Sequence, residues 1–380
     1  MRSQDSSIPF GYTSAWSERD KYQVKNVTDA IKPLRLGLVG LGGVALGKHL
    51  PAVRRLQEIG FPVTVVAGAE IDEALRLKTQ RLHGFPCYAD FREMFDKEEL
   101  DGVELLTDPG ESRLQALREA VSRGLHMFVE KPFLFFGVDR LQESIELACR
   151  IVEQARAKKL VVMTGFVKRF SPPYVVAKRI VDEGVIGRPS LIAVKMCQGW
   201  SRHILLEGQA CHLLHLALWL GGPISRLHAY GVNRYAEPNY PYDNVVVNAQ
   251  YVSGMIGTFY FNSSAPSLKP WERMEVFGER KWLVVEDGFS VTLYDSEEGP
   301  AKTYAPVMPH TLFFDEEFSG FVGEIRAFAE AIEAGREAPV TGEDGIDALV
   351  LARLIHTSIE QRQEMTWPGI VNPLPRDAVQ

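Results

Sequence analysis

Residues 34–45 read LRLGLVGLGGVA, an apolar run that leads directly into a glycine-rich turn. The run is typical of a buried strand, and the stretch VALGKHLPAVRRLQEIG that follows is typical of a helix. The first glycine of a G-x-G-x-x-A turn makes the bend, the second lets the backbone approach a pyrophosphate, and the small third residue lets helix and strand pack closely. A structural turn that binds no nucleotide is the alternative. We predict a dinucleotide-binding turn formed by Gly40, Leu41, Gly42, Gly43 and Val44, with Ala45 as the packing residue.

The second strand of the pattern, VTVVAGAE, ends in an acidic residue, Glu70. In dinucleotide-binding folds a carboxylate at this place accepts hydrogen bonds from the adenosine ribose and repels a 2′-phosphate. Glu70 follows Gly42 by more than the common spacing of roughly 20 residues, because the intervening helix is longer. The sequence therefore predicts NAD as the cofactor, with NADP as the alternative, and Glu70 as the ribose contact.

Strands and helices alternate from Leu34 to about residue 164, which predicts a parallel sheet covered by helices on both faces. After Phe166, segments such as NVVVNAQYV and MIGTFYFN alternate with period two, which predicts a large, mostly antiparallel open sheet. Two helical segments follow. The predicted fold class is α/β, with an N-terminal extension at 1–32, a Rossmann NAD-binding domain at 33–164, and an α/β domain for substrate binding and oligomerisation at 165–380.

The composition is that of an ordinary globular protein, with 46% hydrophobic and 24% charged residues. A formal net charge of −7 argues against nonspecific binding to nucleic acid or to an anionic membrane, because both need a basic face. No uncharged apolar stretch reaches the roughly 18 residues of a membrane span, and the first residues lack the apolar region of a signal peptide. The four cysteines form no CxxC pair, which favours reduced thiols and a cytoplasmic location.

Two further strands end in polar residues, Thr107 after GVELL and the tripeptide Glu130-Lys131-Pro132 after HMFV. Ligands of open parallel sheets bind at the carboxyl ends of the strands, so we expect Thr107, Glu130 and Lys131 to line a cofactor crevice. A lysine in that position can hold a substrate oxygen and stabilise the negative charge that develops on it. Taken alone, the tripeptide is equally typical of a surface turn.

The stretch GQACHLLHLALWLGG, residues 208–222, places His212 and His215 three residues apart ahead of an apolar run. A histidine with an ordinary pKa near 6.5 suits proton transfer at neutral pH. The pair could instead bind zinc together with Glu207 or a nearby cysteine, or it could fill a core. Zinc binding needs a third ligand that the sequence does not place, and we therefore predict no metal.

Several segments together make the chain similar to the Gfo/Idh/MocA family of nicotinamide-dependent oxidoreductases: GLVGLGGVA, FVEKP, GFVKRFSPPY, DEGVIGRP, QACHLLHLALW and TGEDGIDALVLA. The resemblance covers about residues 34–370. It implies a Rossmann domain followed by an α/β domain whose open sheet mediates oligomers. It also implies redox chemistry on a hydroxyl or carbonyl of a sugar, cyclitol or related polyol. Within that chemistry, Lys131 would hold and polarise the substrate oxygen, and His212 would transfer the hydroxyl proton.

The chain departs from the family pattern close to the two histidines. Many members carry an aspartate four residues before the histidine, where this chain has Gly208, and Glu207 is out of register. Some members have glutamine three residues before it, as Gln209 is here, and His215 stands where aspartate is usual. We therefore expect altered partners for proton transfer. The weaker candidates for substrate binding are Arg169, Trp200, Arg202, Gln209 and His215.

The predicted function is hydride transfer between NAD(P) and a CH–OH carbon of a sugar, glycoside, sugar acid or cyclitol. The main alternative is a glycoside hydrolase or lyase that uses tightly held NAD transiently, for which Tyr240 and Tyr242 could serve. A noncatalytic NAD-binding regulator and a zinc protein are further alternatives. The expected partner is a carbohydrate-like small molecule, with no nucleic acid and no membrane. Because a large exposed sheet face seeks a partner, we expect a homo-oligomer, a dimer or tetramer.

Overall fold

The computed structural model describes residues 32–197, 205–234, 241–264, 271–295, 299–305 and 318–367. The N-terminal extension up to residue 31, the substrate candidates Trp200 and Arg202, and Tyr240 lie outside the described residues. Among the described residues, no helix combines the length and the apolar character that a membrane crossing requires.

The first sheet is parallel throughout and has the strand order β3-β2-β1-β4-β5-β6 in the described part of the chain. Its interior strands are nearly continuous apolar runs, as expected for strands buried on both faces. Because β1 lies between β2 and β4, the chain changes direction across the sheet at β1, and a crevice opens beyond the carboxyl ends of these strands. The strands are β1 (Leu34–Val39), β2 (Val63–Ala69), β3 (Cys87–Tyr88), β4 (Gly102–Leu105), β5 (His126–Glu130) and β6 (Val162–Gly165).

Helices connect these strands. A π-helical turn, Ala45–His49, leads into the first α-helix, and Asp72 caps the second by accepting a hydrogen bond from the N–H of Leu75 at 2.8 Å. The sequence analysis did not assign β3 or the short α3. The helices are α1 (Leu50–Glu58), α2 (Glu73–His83), α3 (Phe91–Lys97), α4 (Glu111–Arg123) and α5 (Leu141–Ala157).

The second sheet has the order β14-β13-β12-β11-β7-β10-β9-β8-β15 among the described residues. Only β7 and β10 pair in parallel there, so the predicted mostly antiparallel sheet is confirmed. The other described elements of this part are a 3-10 turn (Val167–Phe170), α6 (Pro172–Asp182), a π-helical turn (Leu205–Ala210) and α7 (Cys211–Gly221). The strands are β7 (Leu191–Cys197), β8 (Ile224–Val232), β9 (Asn244–Tyr251), β10 (Ile256–Asn262), β11 (Glu272–Phe277), β12 (Lys281–Glu286), β13 (Ser290–Asp295), β14 (Lys302–Tyr304) and β15 (Met365–Thr366).

One face of the second sheet is packed and the other is open. Inward residues such as Val247 and Phe259 are completely buried, whereas their neighbours Val246 and Tyr260 are 45% and 43% exposed. Tyr230, at 67% exposure, adds a further aromatic ring to the open face. This alternation is the period-two pattern that the sequence showed.

The last two helices join the two sheets. Helix α8 (Phe321–Ala334) packs on α1, while α9 (Gly342–Gln361) packs on α5 and on β8. Thr341 caps α9 in a capping box with Asp344, and its carbonyl oxygen accepts a hydrogen bond at 3.0 Å from the hydroxyl of Thr164 in β6. These two helices, which follow residue 164 in the chain, therefore pack in part on helices of the first sheet.

Candidate active site

The glycine turn after β1 leaves room for a phosphate group. Gly40 has φ +90°, and a Cβ there would lie 3.0 Å from the backbone nitrogen of Thr107. By contrast, a Cβ on Gly42 or Gly43 would meet no described atom within 4 Å, and both residues are exposed. Ala45 is completely buried, as close packing of helix and strand requires. This open space and the free N–H groups of the first helical turn fit the pyrophosphate of a dinucleotide.

Glu70 lies beside this turn, at the end of β2. Its Oε2 accepts a hydrogen bond from the N–H of Leu41 at 2.9 Å, and its Oε1 accepts one from the N–H of Asp72 at 3.0 Å. Arg76 donates to the carbonyl oxygen of Glu70 at 2.9 Å, which fixes the backbone as well. The carboxylate is therefore held next to the glycine turn, where the sequence predicted a ribose contact, and its remaining lone pairs can accept further hydrogen bonds.

A cleft of about 520 Å³ lies at the carboxyl ends of β4 and β5. It brings together the predicted cofactor residues Val44, Thr107, Glu130 and Lys131 with the predicted substrate residue Gln209. The cleft lies where an open α/β sheet binds its ligands. The other lining residues are Leu106, Asp108, Pro109, Arg113, Pro132, Phe135, Glu207 and Gly208.

Lys131 spans the cleft from the first sheet to the helical segment before α7. Its Nζ donates a hydrogen bond to the carbonyl oxygen of Gly208 at 2.8 Å, and its backbone N–H donates to Oε2 of Glu130 at 2.9 Å. The following peptide bond, to Pro132, is cis. An ammonium group held by one carbonyl keeps two further N–H donors for a ligand.

Arg113, on α4, ties the carboxyl ends of β4 and β5 together. Its Nη1 donates to the carbonyl oxygens of Glu130 at 2.5 Å and of Pro132 at 2.6 Å, and its Nη2 donates to the carbonyl oxygen of Thr107. Burial lowers the pKa of Arg113 to about 10, against the opposing effect of Glu130 and Asp108, so it remains charged at neutral pH. The sequence analysis missed this residue, because an arginine in an amphipathic helix is normally assigned to the solvent face.

His212 lies at the start of α7 and is half-buried. Its ring meets that of Phe166 edge-on, with 6.0 Å between the centroids, and its Nδ1 is enclosed with no hydrogen-bond partner among the described residues. Burial, reinforced by Lys131, Lys168 and His215, lowers the pKa of His212 well below its usual value. The imidazole is therefore neutral at pH 7. It is not among the described residues that line the cleft.

His215 and Arg169 contact each other rather than the cleft. The ring of His215 stacks on Phe166 with 4.2 Å between centroids, and its Nε2 lies 3.4 Å from Nη1 of Arg169. The guanidinium of Arg169 lies over the ring of Trp219 at 4.5 Å. Among the described residues, the group whose donor atoms converge closely enough for a metal is His49, Glu130 and Glu324, and it does not include the His212–His215 pair.

Glu207 supplies a carboxylate that the sequence analysis had set aside as out of register. It lies in the π-helical turn Leu205–Ala210, whose wider spacing means that the four-residue spacing of an α-helix does not apply before His212. Oε1 of Glu207 accepts a hydrogen bond from Nε2 of His356 at 2.8 Å. Oε2 is enclosed without a partner among the described residues, and the side chain lines the cleft.

Comparison with known proteins covers both halves of the chain. Residues 34–166 match the model of the oxidoreductase family with an NAD-binding Rossmann fold, and residues 174–284 match the Gfo/Idh/MocA C-terminal domain. The inositol 2-dehydrogenase of Rhizobium meliloti is 24% identical over 88% of this chain and 99% of its own. The myo-inositol 2-dehydrogenase of Thermotoga maritima is 23% identical over 89% of this chain and 100% of its own.

Solved structures give the same result for the fold. A levoglucosan dehydrogenase in complex with NADH and levoglucosan superposes with a TM-score of 0.79, at 19% sequence identity, over 89% of this chain and 100% of its own. At this identity the likeness establishes the fold. It supports the predicted combination of a Rossmann sheet with a second, mostly antiparallel sheet.

Proposed function

The chain belongs to the Gfo/Idh/MocA family and is an NAD-binding oxidoreductase of the kind that acts on CH–OH groups; on this premise we propose that its substrate is a sugar, glycoside, sugar acid or cyclitol. One observation carries the proposal. Lys131 and Glu207 line the same cleft at the carboxyl ends of β4 and β5, and Oε2 of Glu207 has no hydrogen-bond partner among the described residues. A cationic donor and an anionic acceptor in one cleft suit a ligand with several hydroxyl groups.

The cofactor would be held by the residues that the sequence selected. Gly42 and Gly43 leave space for the pyrophosphate, Glu70 accepts hydrogen bonds from the ribose, and Thr107 and Glu130 line the crevice. When bound, NAD supplies a hydride acceptor next to the substrate carbon. The names of the two relatives described above, inositol 2-dehydrogenase and myo-inositol 2-dehydrogenase, support a polyol as the substrate.

Lys131 would bind the oxygen of the reacting carbon. In the structure its Nζ is hydrogen-bonded to the carbonyl oxygen of Gly208, so a substrate oxygen can take one of the remaining N–H donors. A positive charge at this place stabilises the negative charge that develops on the oxygen when the hydroxyl loses its proton.

His212 would accept the hydroxyl proton. Because its pKa is lowered, the ring is neutral and able to take up a proton at pH 7. Its Nδ1 is enclosed, which leaves Nε2 as the proton acceptor. The side chain of Glu207 would border the substrate, because it lines the cleft while His356 holds its Oε1.

The wider organisation is also a proposal. We assign residues 33–164 to cofactor binding and 165–380 to substrate binding and oligomerisation. The exposed apolar side chains of Tyr230, Val246 and Tyr260 on the open sheet face support a homo-oligomer. The described cysteines are free, in keeping with a cytoplasmic location. Sedimentation at several protein concentrations tests the oligomer: a monomer at all of them would contradict it.

The experiment that tests the function is a screen for NADH formation. Purified protein is mixed with NAD or NADP and a panel of inositols, sugars, sugar acids and anhydrosugars, and the absorbance of NADH is followed. We expect stoichiometric NADH with one class of compound. Consumption of a compound without release of NADH would instead indicate the transient use of NAD by a hydrolase or lyase.

Variants then test the roles of the residues. Lys131→Ala and His212→Ala should bind NAD normally and lose roughly 10²–10⁴-fold in turnover, the range for groups that act on a proton or its charge. Lys97→Ala, which removes an exposed lysine on α3, is the matched control and should behave like the parent protein. Full activity in His212→Ala would remove this residue from the mechanism.

A further inference from the structure

A cluster of ionisable side chains lies directly behind Lys131 and is enclosed by protein. It comprises His49 from the π-helical turn before α1, Glu104 from β4, Glu130 from β5 and Glu324 from α8. The exposed fraction is zero for all of them except Glu130, at 7%. Such groups are costly to bury unless they are paired, so their retention requires a reason.

His49 connects two of the carboxylates. Its Nδ1 lies 2.9 Å from Oε2 of Glu104, and its Nε2 lies 3.2 Å from Oε1 of Glu130. Burial alone would lower the pKa of His49, but the two carboxylates outweigh it and raise the pKa to about 10. The ring is therefore an imidazolium that donates from both nitrogens. Phe128 and Phe321 close around it, with centroid distances of 5.3 and 5.4 Å.

Glu130 connects His49 to the backbone of Lys131. One carboxylate oxygen accepts from His49, and the other accepts from the backbone N–H of Lys131 at 2.9 Å. Its carbonyl oxygen accepts from Arg113 at 2.5 Å. Both the side chain and the backbone of Glu130 are thus fixed immediately before the lysine whose Nζ enters the cleft.

We propose that His49 is a positioning residue for Lys131: clamped between Glu104 and Glu130, it fixes the carboxylate that holds the Lys131 backbone and so sets where Nζ stands in the cleft. The inference deepens the proposed function, because it presumes that Lys131 acts on the substrate. His49 itself does not touch substrate or cofactor, since it is wholly enclosed.

Glu324 belongs to the cluster, but it is not one of the two carboxylates that bind His49. Both of its carboxylate oxygens are enclosed and have no hydrogen-bond partner among the described residues. Burial, together with the charges of Glu130 and Glu104, raises the pKa of Glu324 well above its ordinary value, against the opposing effect of His49. This shift favours the protonated, uncharged form of the side chain, which the amide of glutamine resembles.

The charges of the cluster also favour a protonated His49, rather than a bound metal ion, as the positive charge between the carboxylates. Ligand atoms of His49, Glu130 and Glu324 all lie within 4.8 Å of one another, which a metal would fit geometrically. The carboxylates of Glu104 and Glu130, however, already face the charges of His49, Arg113 and Lys131. A divalent ion would add positive charge to a buried region in which three cationic groups already face two carboxylates.

The test compares three isosteric or near-isosteric variants as purified proteins with NAD. His49→Gln removes the positive charge and leaves one donor nitrogen in place of two, and Glu104→Gln removes the negative charge of one of the two carboxylates that bind His49. For both we expect kcat to fall roughly 10–100-fold, the loss that a misplacement of about 1 Å causes, with the dissociation constant of NAD changed by less than about threefold. Glu324→Gln is the matched control and should keep kcat within about twofold.

A second readout does not depend on turnover. A crystal structure of the NAD-bound His49→Gln protein should show Nζ of Lys131 displaced from the carbonyl oxygen of Gly208. If His49→Gln does not fold, the same measurement on Glu104→Gln decides the question. A lysine that keeps its position in the variant would overturn the proposal.

The remaining outcomes separate this inference from the proposed function. Parent-level kcat in His49→Gln and Glu104→Gln, with Lys131→Ala inactive, would overturn the positioning role alone. An active Lys131→Ala would overturn the proposed function. An equal loss in Glu324→Gln, or one metal ion per chain that disappears in that variant, would overturn the proton-based clamp in favour of a metal centre.

Discussion

The buried imidazolium of His49 predicts how the stability of the protein depends on pH. Because its pKa is raised from 6.5 to about 10 by Glu104 and Glu130, the folded state binds this proton more tightly than the unfolded state. The stabilisation is complete below the unfolded pKa of 6.5 and is lost as pH rises through the folded pKa. A difference of 3.5 pKa units, at 1.36 kcal/mol each, corresponds to about 5 kcal/mol at most.

The assay is urea unfolding of the parent protein and of His49→Gln without added NAD, at about pH 6.5, 7.5, 8.5 and 9.5. Lysine and tyrosine side chains titrate similarly in both proteins, so the difference between the two unfolding free energies isolates His49. It should shrink by about 4 kcal/mol across this range. A difference that stays constant with pH would refute the reasoning, because His49 would then be neutral in the folded protein.

Three further predictions concern the cofactor and the proton acceptor. Glu70→Ser should lower the preference for NAD over NADP roughly 10–100-fold in kcat/KM, whereas the exposed neighbour Glu73→Ser should not; an unchanged ratio would mean that the ribose is bound elsewhere. Gly40→Ala should lower the unfolding free energy by about 2–4 kcal/mol, because φ is +90° and the new Cβ would meet the backbone nitrogen of Thr107 at 3.0 Å. Gly42→Ala, which meets no described atom, should keep its stability and weaken NAD binding. In the direction of oxidation, kcat/KM should fall with decreasing pH only below about 6.5, since the pKa of His212 is lowered; an acidic limb at or above that pH would contradict its role.

The features that depend on residues close together in the sequence could be predicted from it. The glycine turn, Glu70 at the end of β2 and Lys131 at the end of β5 follow from strand ends and from residues whose backbone geometry is restrictive. In the structure, Val44 of the turn and Lys131 line the same cleft, and Glu70 accepts a hydrogen bond from the N–H of Leu41 in the turn. The open second sheet was equally predictable, because period-two alternation is a local property of each strand.

The buried charges could not be predicted, because their partners converge only in three dimensions. The Nη atoms of Arg113 donate to carbonyl oxygens at the ends of two strands, and His49 lies between carboxylates on two strands. In the sequence, Arg113 and His49 are polar residues in helical segments, where the usual interpretation is a solvent-exposed face. The hydrophobic periodicity of a helix does not show that a charged residue on it is paired with groups from β4 and β5.

Glu207 shows how a spacing rule fails when the backbone departs from the geometry that the rule assumes. A carboxylate four residues before a histidine faces the same side only along an α-helix. Here the segment before His212 is a π-helical turn, and the carboxylate in the cleft stands five residues before the histidine. His356, 149 residues further along the chain, occupies Oε1 and leaves Oε2 as the oxygen without a partner among the described residues. The departure from the family spacing is therefore compatible with a carboxylate in the cleft, that of Glu207, which His356 holds at Oε1.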